Sequence, residues 1–341
     1  MQPQKLRSPA IRIDQPPTDA GGASALADDV RRGLTRRRRS LPPKYFYDRR
    51  GGELFEAICR TPEYYLTRTE TRLLKGIAGE VIDRVRPRDL VELGPGSSMK
   101  TRMLLDAIRK RGTLEAYVPV DVNREMVKAV TEDLVRSYPG LRVHGVAGDF
   151  QQHIDKISSG EPRLVAFLGS TIGNFTPSQA VRFLARMRGS LGPRDALLLG
   201  ADLVKGGAIL HAAYNDAQGV TAEFNRNILR VINRRLGGEF RPERFEHVAF
   251  FNRRRSRIEM HLESTAEQDV RIRKLGLTIA FRRGERIRTE YSYKFRRSSL
   301  KDILRKAGMR IERLYTDPRG WFALVLARAA RGRPAGRRPA G

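Results

Sequence analysis

Cysteine and histidine are scarce in this sequence. The single cysteine, Cys59, cannot form a disulfide within the chain. The histidines are scattered, and no Cys/His cluster has the spacing of a zinc site. These absences exclude a disulfide-stabilised scaffold and a zinc-binding domain. They predict a protein of a reducing compartment that works without a metal.

Long apolar runs are absent as well. No run approaches the ~20 residues that a membrane-spanning helix needs, and the first residues lack the apolar centre of a secretion signal. We therefore expect a soluble, cytoplasmic protein with no membrane partner. A hydrophobic content of 40% is nevertheless sufficient for one large α/β domain or two smaller ones.

Acidic residues are few relative to basic ones. The sequence has 66 Lys and Arg against 38 Asp and Glu, a net charge of +28. Such a charge favours nucleic acid as a partner. The arginine clusters at 36–39, at 253–255 and in the tail are not interleaved with the aromatic residues that stack on bases. We therefore expect a solvated, arginine-rich surface and no nucleic-acid partner.

Strand-like and helical segments alternate through the middle of the chain. They comprise strand 89–93, helix 98–111, strand 115–121, helix 123–137, strands 141–147 and 163–169, a helix from Thr176-Pro177, and strand 195–203. This alternation predicts a parallel, doubly wound sheet. A long helical stretch from about 205 to 236 then leads into strand-like runs that look antiparallel. These runs are 244–252, 256–263, 276–282 and 287–295, followed by helix 299–307 and closing strands 310–315 and 321–327.

The predicted fold is therefore α/β, with a Rossmann-like sheet domain and a second domain. The sheet domain would comprise 69–204 plus 295–329. An α+β substrate-binding domain would comprise 41–68 plus 205–294. Residues 1–40 are expected to form a loose arm, and residues 330–341 a basic disordered tail.

The clearest chemical signal is the stretch Val91-Glu92-Leu93-Gly94-Pro95-Gly96-Ser97-Ser98, where a strand turns into a helix. Its glycines let the backbone approach a ligand closely. The third glycine of the dinucleotide fingerprint is replaced by Met99, which argues against a pyrophosphate cofactor. Asp121 ends the next strand, where a carboxylate can accept hydrogen bonds from a ribose. Together they predict a phosphate-free adenosine cofactor such as S-adenosylmethionine, whose cationic amino acid end would suit Glu92.

Two further strand ends supply candidates for ligand contact. Asp149 follows the third sheet strand, where its carboxylate could accept hydrogen bonds from the adenine amino group. The run Gly169-Ser170-Thr171-Ile172-Gly173-Asn174 ends the fourth strand and leaves space above the cofactor. Asn174 offers both a donor and an acceptor, which would orient the amine or carboxylate of an amino acid.

With these residues in place, the chain resembles a known family, the L-histidine Nα-methyltransferases of ergothioneine biosynthesis. Those enzymes use S-adenosylmethionine to trimethylate histidine to hercynine. The resemblance covers the chain from about Leu41 to Ala327. It rests on Tyr45-Phe46-Tyr47-Asp48, Pro62-Glu63-Tyr64-Tyr65, Thr67-Arg68-Thr69-Glu70, Glu92-Leu93-Gly94-Pro95-Gly96-Ser97, Gly169-Ser170-Thr171-Ile172-Gly173-Asn174, Ala213-Tyr214-Asn215-Asp216 and Ile287-Arg288-Thr289-Glu290-Tyr291-Ser292-Tyr293-Lys294-Phe295.

The resemblance implies a class I methyltransferase sheet, S-adenosylmethionine as cofactor, L-histidine as substrate and a monomer. The implied cofactor site consists of Gly94, Lys100, Asp121, Asp149, Phe150, Gly169 and Thr171. The implied histidine site consists of Tyr47, Phe55, Tyr64, Asn174, Tyr214, Met260, Glu290, Tyr291 and Ser292. Among these, Asn174 and Tyr47 would be catalytic by orienting the free amine.

The residue pattern agrees with a ring-binding pair. A neutral histidine ring has one N–H and one bare nitrogen. Glu290 can accept a hydrogen bond from the first, and Ser292 can donate one to the second. Two residues apart on a strand, both side chains point to the same face. Without the resemblance, Glu290 would be interpreted as a surface partner of Arg286 or Arg288.

Two other functions remain open from the sequence. A nucleic-acid methyltransferase would hold a flipped base with a Pro-Pro-aromatic loop at the fourth strand, where this chain has Gly173-Asn174-Phe175-Thr176. The same scaffold could also methylate another amino acid-like amine, as related fungal enzymes do. Glu290 and Ser292 favour histidine over such an amine.

Overall fold

The computed structural model describes residues 11–14, 22–96, 98–154 and 161–330. The predicted tail beyond residue 330 and the remaining parts of the predicted arm before residue 22 lie outside these residues. Within the described ranges no helix is both long and apolar enough to cross a membrane. In the same ranges no group of His, Cys, Asp and Glu side chains is arranged to hold a metal ion.

The strands and helices alternate largely as the sequence predicts. The strands are β1 Ile11–Asp14, β2 Asp89–Leu93, β3 Ala116–Asp121, β4 Arg142–Ala147, β5 Arg163–Phe167, β6 Ala196–Asp202, β7 Phe245–Asn252, β8 Arg257–Ser264, β9 Gln268–Ile272, β10 Leu277–Phe281, β11 Arg286–Tyr293, β12 Met309–Thr316 and β13 Phe322–Ala329. The helices are α1 Gly22–Leu34, α2 Arg49–Arg60, α3 Tyr65–Val85, α4 Met99–Lys110, α5 Arg124–Ser137, α6 Phe150–His153, α7 Pro177–Ser190, α8 Gly207–Ala212, α9 Val220–Leu236 and α10 Arg297–Lys306.

An eight-stranded sheet has the order β1-β4-β3-β2-β5-β6-β13-β12. The strands from β1 to β6 are parallel, whereas β13 joins β6 antiparallel and pairs with β12. From β4 to β6 this is the doubly wound order 3-2-1-4-5, counted from β2. The predicted α/β class with a Rossmann-like sheet is confirmed.

The central strands are buried on both faces because helices cover both sides of the sheet. Every residue of β2 and β5 is buried. One face packs Val91 and its neighbours against α7 and α10. The other packs Leu90 and its neighbours against α3, α4 and α5. Helix α7 begins as predicted, with the Thr176 side chain capping it and Pro177 at its first position.

A third core lies outside the sheet. It joins residues of α1, α2 and α9 to a three-stranded antiparallel sheet of order β11-β8-β7 and a hairpin of β9 and β10. The antiparallel pairing after residue 244 therefore agrees with the sequence prediction. This core supports the predicted substrate-binding domain, whose boundaries stay a prediction.

The expectation of a loose arm over residues 1–40 is wrong where the structure describes the arm. Residues 22–34 form helix α1, and Leu26, Val30 and Leu34 are almost fully buried in the third core. Strand β1 extends the sheet beside β4. The Gly, Ala and Asp content of the segment obscured a helical spacing of apolar residues at every fourth position.

Two other expectations need smaller corrections. The helical stretch after residue 205 is divided into α8 and α9, because Gly219 adopts a left-handed conformation with φ of +69° before α9. Strand β9 was missed in the sequence analysis, although it pairs residue by residue with β10.

Candidate functional site

The glycine loop after β2 leaves an open space above the sheet. Gly94 and Gly96 have φ values of +73° and +53°, which favour glycine. A Cβ at either position would meet no atom of the described chain within 4 Å. A ligand can therefore approach this backbone closely.

Glu92 lies two residues before Gly94 and is buried inside the sheet domain. Its carboxylate accepts hydrogen bonds from Thr101 Oγ1 at 2.5 Å and Tyr117 OH at 2.9 Å. Burial raises the pKa of Glu92 to about 7. The expectation that Glu92 faces a cationic ligand is wrong, because both contacts tie it to α4 and β3 inside the domain.

The next two strand ends each present a carboxylate. Asp121 ends β3 and accepts a hydrogen bond from Asn123 N at 2.8 Å, and burial raises its pKa to about 6. Asp149 follows β4 and caps α6 through Gln151 N at 2.9 Å. Lys44 Nζ lies 3.9 Å from Asp149.

One central cavity of about 1280 Å³ connects these strand ends with the third core. All sixteen residues assigned to the implied cofactor and histidine sites line it, whereas Glu92 does not. They are Tyr47, Phe55, Tyr64, Gly94, Lys100, Asp121, Asp149, Phe150, Gly169, Thr171, Asn174, Tyr214, Met260, Glu290, Tyr291 and Ser292. The fold therefore brings together residues from distant parts of the chain, while the ligand assigned to each of them stays a prediction.

Glu70 is a lining residue that the sequence analysis did not select. This buried side chain of α3 accepts hydrogen bonds from Gly169 N at 2.8 and 3.0 Å. It also forms an ion pair with Lys100 Nζ at 2.6 Å. Lys100, predicted to bind cofactor, is therefore already paired with a carboxylate. The Thr-Arg-Thr-Glu segment of the resemblance contained the signal for Glu70.

Aromatic side chains form one wall of the cavity. Ring centroids lie 5.7 Å apart for Tyr47 and Phe55, 6.2 Å for Phe55 and Tyr64, and 6.3 Å for Tyr64 and Tyr214. Phe224 of α9, which sequence reasoning missed, packs against Tyr47 and Phe55. Burial raises the pKa of Tyr47 and Tyr64 well above 10, so both stay neutral hydrogen-bond donors.

Asn174 is held at the cavity by the loop after β5. Gly169 and Ser170 have φ values of +74° and +57°, and the Ser170 hydroxyl accepts a hydrogen bond from Asp202 N at 2.9 Å. Gly173 packs so closely on β11 that a Cβ there would lie 2.9 Å from Tyr293 O. The Asn174 side chain has no hydrogen-bond partner among the described residues, so both its donor and its acceptor are available to a ligand.

Glu290 is buried, with 8% of its surface exposed, and its carboxylate has no hydrogen-bond partner among the described residues. Burial raises its pKa to about 7, and the nearby Lys294 opposes that shift. The interpretation as an arginine partner is wrong, because Arg286 Nε pairs with Glu263 at 2.5 Å. Arg288 instead lies over the Tyr291 ring, 4.0 Å from its centroid.

The next two residues of β11 after Glu290, Tyr291 and Ser292, make different contacts. Tyr291 lines the cavity, but Arg257 Cζ lies 3.4 Å from its ring centroid, so part of the ring is already covered. Ser292 Oγ lies 2.8 Å from Tyr214 OH. The buried Lys294 Nζ donates to both hydroxyl groups, at 2.9 and 2.8 Å.

Lys294 and its partner Asp202 were not selected from the sequence. Asp202 ends β6 and pairs with Lys294 Nζ at 2.9 Å. The signal was present, since Lys294 shares a strand face with Glu290 and Ser292 by its spacing of two residues. The sequence analysis quoted Lys294 only as part of the segment from Ile287 to Phe295 and assigned it no role.

Comparison with known proteins agrees with this geometry. Residues 26–329 match the family model described as histidine-specific methyltransferase, SAM-dependent. A histidine N-alpha-methyltransferase of Mycobacterium tuberculosis is 48% identical over 306 residues, which cover 90% of this chain and 95% of that protein. Ergothioneine biosynthesis protein 1 of Neurospora crassa is 35% identical over 204 residues, 58% of this chain and 23% of that protein.

Among solved structures, an S-adenosylmethionine-dependent methyltransferase from Clostridium acetobutylicum matches with a TM-score of 0.46 and 11% identity. The match covers 82% of this chain and 98% of that structure.

Proposed function

This chain belongs to the histidine-specific, S-adenosylmethionine-dependent methyltransferases, and we propose on that premise that it trimethylates the α-amino nitrogen of L-histidine. The product would be hercynine, and the reaction the first step of ergothioneine biosynthesis. The observation that carries the proposal is the buried Glu290 carboxylate, which has no hydrogen-bond partner among the described residues. A ring N–H would supply that partner, since a buried carboxylate left unpaired is costly.

The strand ends supply a place for the methyl donor. The open backbone at Gly94 would hold its methionine end, Asp121 the ribose hydroxyls and Asp149 the adenine amino group. When bound, S-adenosylmethionine supplies a methyl group on a positively charged sulfur. Because Lys100 is paired with Glu70, we propose that the pair acts as a unit at the methionine end.

The amino acid end of histidine would lie between Asn174 and the tyrosines. The Asn174 oxygen can accept a hydrogen bond from the amine, and its NH2 group can donate to the carboxylate. Tyr47 and Tyr64 are held neutral by burial, so they orient the amine rather than remove its proton. Water would take the protons released between successive transfers. The protein contributes position, which is the main requirement of an in-line displacement.

Product analysis of Glu290→Gln tests the proposal. The natural chain, incubated with S-adenosylmethionine and L-histidine, should form trimethylated histidine by mass spectrometry. In Glu290→Gln we expect kcat/KM for histidine to fall on the order of tenfold to a hundredfold, because a charged hydrogen bond is lost.

The control is Glu263→Gln, which changes a carboxylate on the neighbouring strand that is paired with Arg286 outside the cavity. Its kcat/KM should stay close to that of the natural chain. If no trimethylated histidine forms and another amino acid amine is methylated, histidine is not the substrate and that amine takes its place in the proposal.

A further inference from the structure

A buried ammonium group lies behind the proposed ring-binding residues. The side chain of Lys294 is 0% exposed, as is that of Asp202. Its three N–H donors are all used, on Asp202 Oδ2 at 2.9 Å, Tyr214 OH at 2.8 Å and Ser292 Oγ at 2.9 Å. Burial alone would lower the pKa of Lys294, but Tyr214 and Asp202 outweigh burial and raise it, so the ammonium is charged.

The lysine limits what the two hydroxyl groups can do. Ser292 Oγ and Tyr214 OH each accept a hydrogen bond from Lys294, and they lie 2.8 Å from each other. One hydroxyl hydrogen is used between them, which leaves a single hydrogen for a ligand. A positive charge behind both oxygen atoms favours hydroxyl hydrogens that point away from it, toward the cavity. It also weakens the remaining lone pair as an acceptor.

The other end of the region where the ring would bind presents a hydrogen-bond acceptor in place of a donor. The buried Glu290 carboxylate lies two residues before Ser292 and can only accept when ionised. A ligand ring placed between Glu290 and Ser292 would therefore meet an acceptor on one side and a donor on the other. A neutral imidazole of one tautomer matches both, whereas an imidazolium has no bare nitrogen for the hydroxyl side.

We propose that Lys294, anchored by Asp202, is a positioning residue that makes the Ser292–Tyr214 hydroxyl pair a hydrogen-bond donor and thereby selects one neutral tautomer of the histidine ring. The inference rests on the proposed function and adds to it a residue that touches no substrate. The ion pair joins β6 of the large sheet to the end of β11. It therefore also fixes the position of the hydroxyl pair relative to the large sheet.

Lys294→Met removes the charge while keeping much of the side-chain volume. Asp202 would keep Lys205 Nζ at 2.6 Å and Tyr65 OH at 2.8 Å as partners, so its carboxylate is not left unpaired. The matched control is Lys205→Met, which removes the other ammonium from the same carboxylate. Lys205 contacts Asp202, Tyr65 and Leu203 O, and contacts neither hydroxyl of the pair.

The measurement compares L-histidine with two analogues in which pyrrole replaces the imidazole ring. They are 2-pyrrolylalanine and 3-pyrrolylalanine, which differ in the ring carbon that is attached to the side-chain CH2. Each analogue has one ring N–H and lacks the bare nitrogen, and one of the two carries its N–H at the position that faces Glu290 in bound histidine. The natural chain should prefer histidine by kcat/KM on the order of tenfold to a hundredfold. In Lys294→Met that preference should largely disappear, through loss of activity on histidine alone, while Lys205→Met should retain it. A loss of equal size on all substrates would overturn the proposal and indicate a structural role.

A second measurement uses the natural chain and needs no variant. Ring-labelled [¹⁵N]histidine, bound with S-adenosylhomocysteine, should show one protonated and one bare ring nitrogen by NMR at about pH 8, where Glu290 is ionised and free histidine is a mixture of its two neutral tautomers. A bound imidazolium or a mixture of tautomers would overturn the inference and leave histidine binding intact. Failure of histidine to bind at all would instead refute the proposed function.

Discussion

At the residue scale, the site combines paired and unpaired polar groups. Glu70 is paired with Lys100, and Lys294 with Asp202, by contacts within the described chain. Glu290 and Asn174 have no hydrogen-bond partner among the described residues, yet both face the same cavity. Glu290 is buried and Asn174 half-buried, and a buried polar group without a partner is costly, so we expect a ligand to complete their hydrogen bonding. The paired groups hold the unpaired ones in place.

Asn174→Ala should lower kcat for histidine methylation by about a hundredfold, because a poorly oriented amine rarely reaches the attacking geometry. Steady-state kinetics with histidine as the varied substrate would measure it. Asn215→Ala is the matched control, since its side chain binds His211 O and Ala249 O and does not line the cavity. An unchanged rate in Asn174→Ala would show that this residue does not orient the amine.

At the element scale, the segments predicted best are those with strong periodicity and clear ends. The helix from Pro177 has a capping threonine and a proline, and it begins where the sequence indicated. Helix α1 was missed because its apolar stripe of Leu26, Val30 and Leu34 is narrow and its other residues resemble a linker. Nothing local distinguishes such a stripe from a loose arm, since only the third core gives it something to cover.

Leu26→Ala should therefore lower the free energy of unfolding by about 2–5 kcal/mol, as expected for a fully buried leucine. Urea denaturation of the full chain would measure the change. Asp28→Ala, on the exposed side of the same helix, should have a much smaller effect. If both variants unfold like the natural chain, α1 does not belong to the cooperative core.

At the scale of the whole molecule, the buried carboxyl groups of Glu92 and Glu290 and the half-buried one of Asp121 belong to strands that border one cavity. Burial raises the pKa of Glu92 and Glu290 to about 7 and that of Asp121 to about 6. An unfolded chain ionises these groups at a lower pH than the folded chain does. Their contribution to stability is therefore full below their unfolded pKa values and is lost as pH rises through the folded values.

The ligand-free protein should consequently lose stability between about pH 4.5 and pH 7, by about 3 kcal/mol for a single glutamate shifted that far. Denaturant unfolding at about pH 5 and about pH 8 measures the loss. It should be smaller in Glu92→Gln, whose amide oxygen can still accept from Thr101 and Tyr117. An equal loss in both proteins would mean that Glu92 is not the titrating group.

The net charge of +28 also belongs to this scale. Several arginines form ion pairs at the exposed surface, for example Arg111 with Asp83 and Arg88 with Glu115. The Arg253–255 cluster lies in the turn between β7 and β8, and the aromatic wall of Tyr47, Phe55, Tyr64 and Tyr214 lines the cavity. That nucleic acid is not a partner, that the protein is a monomer and that it is cytoplasmic all stay predictions.

The sequence by itself determined the order of the strands from β2 to β6, the glycine loop and, through the family resemblance, sixteen of the residues that line the cavity. These depend on local conformation, on periodicity and on motifs of adjacent residues, which a single chain displays directly. Tertiary structure decided which polar groups pair. Glu92 turns inward to Thr101 and Tyr117, Glu70 pairs with Lys100 30 positions away, and Lys294 pairs with Asp202 92 positions away. Such pairings depend on burial and distance, which no local pattern of residues encodes.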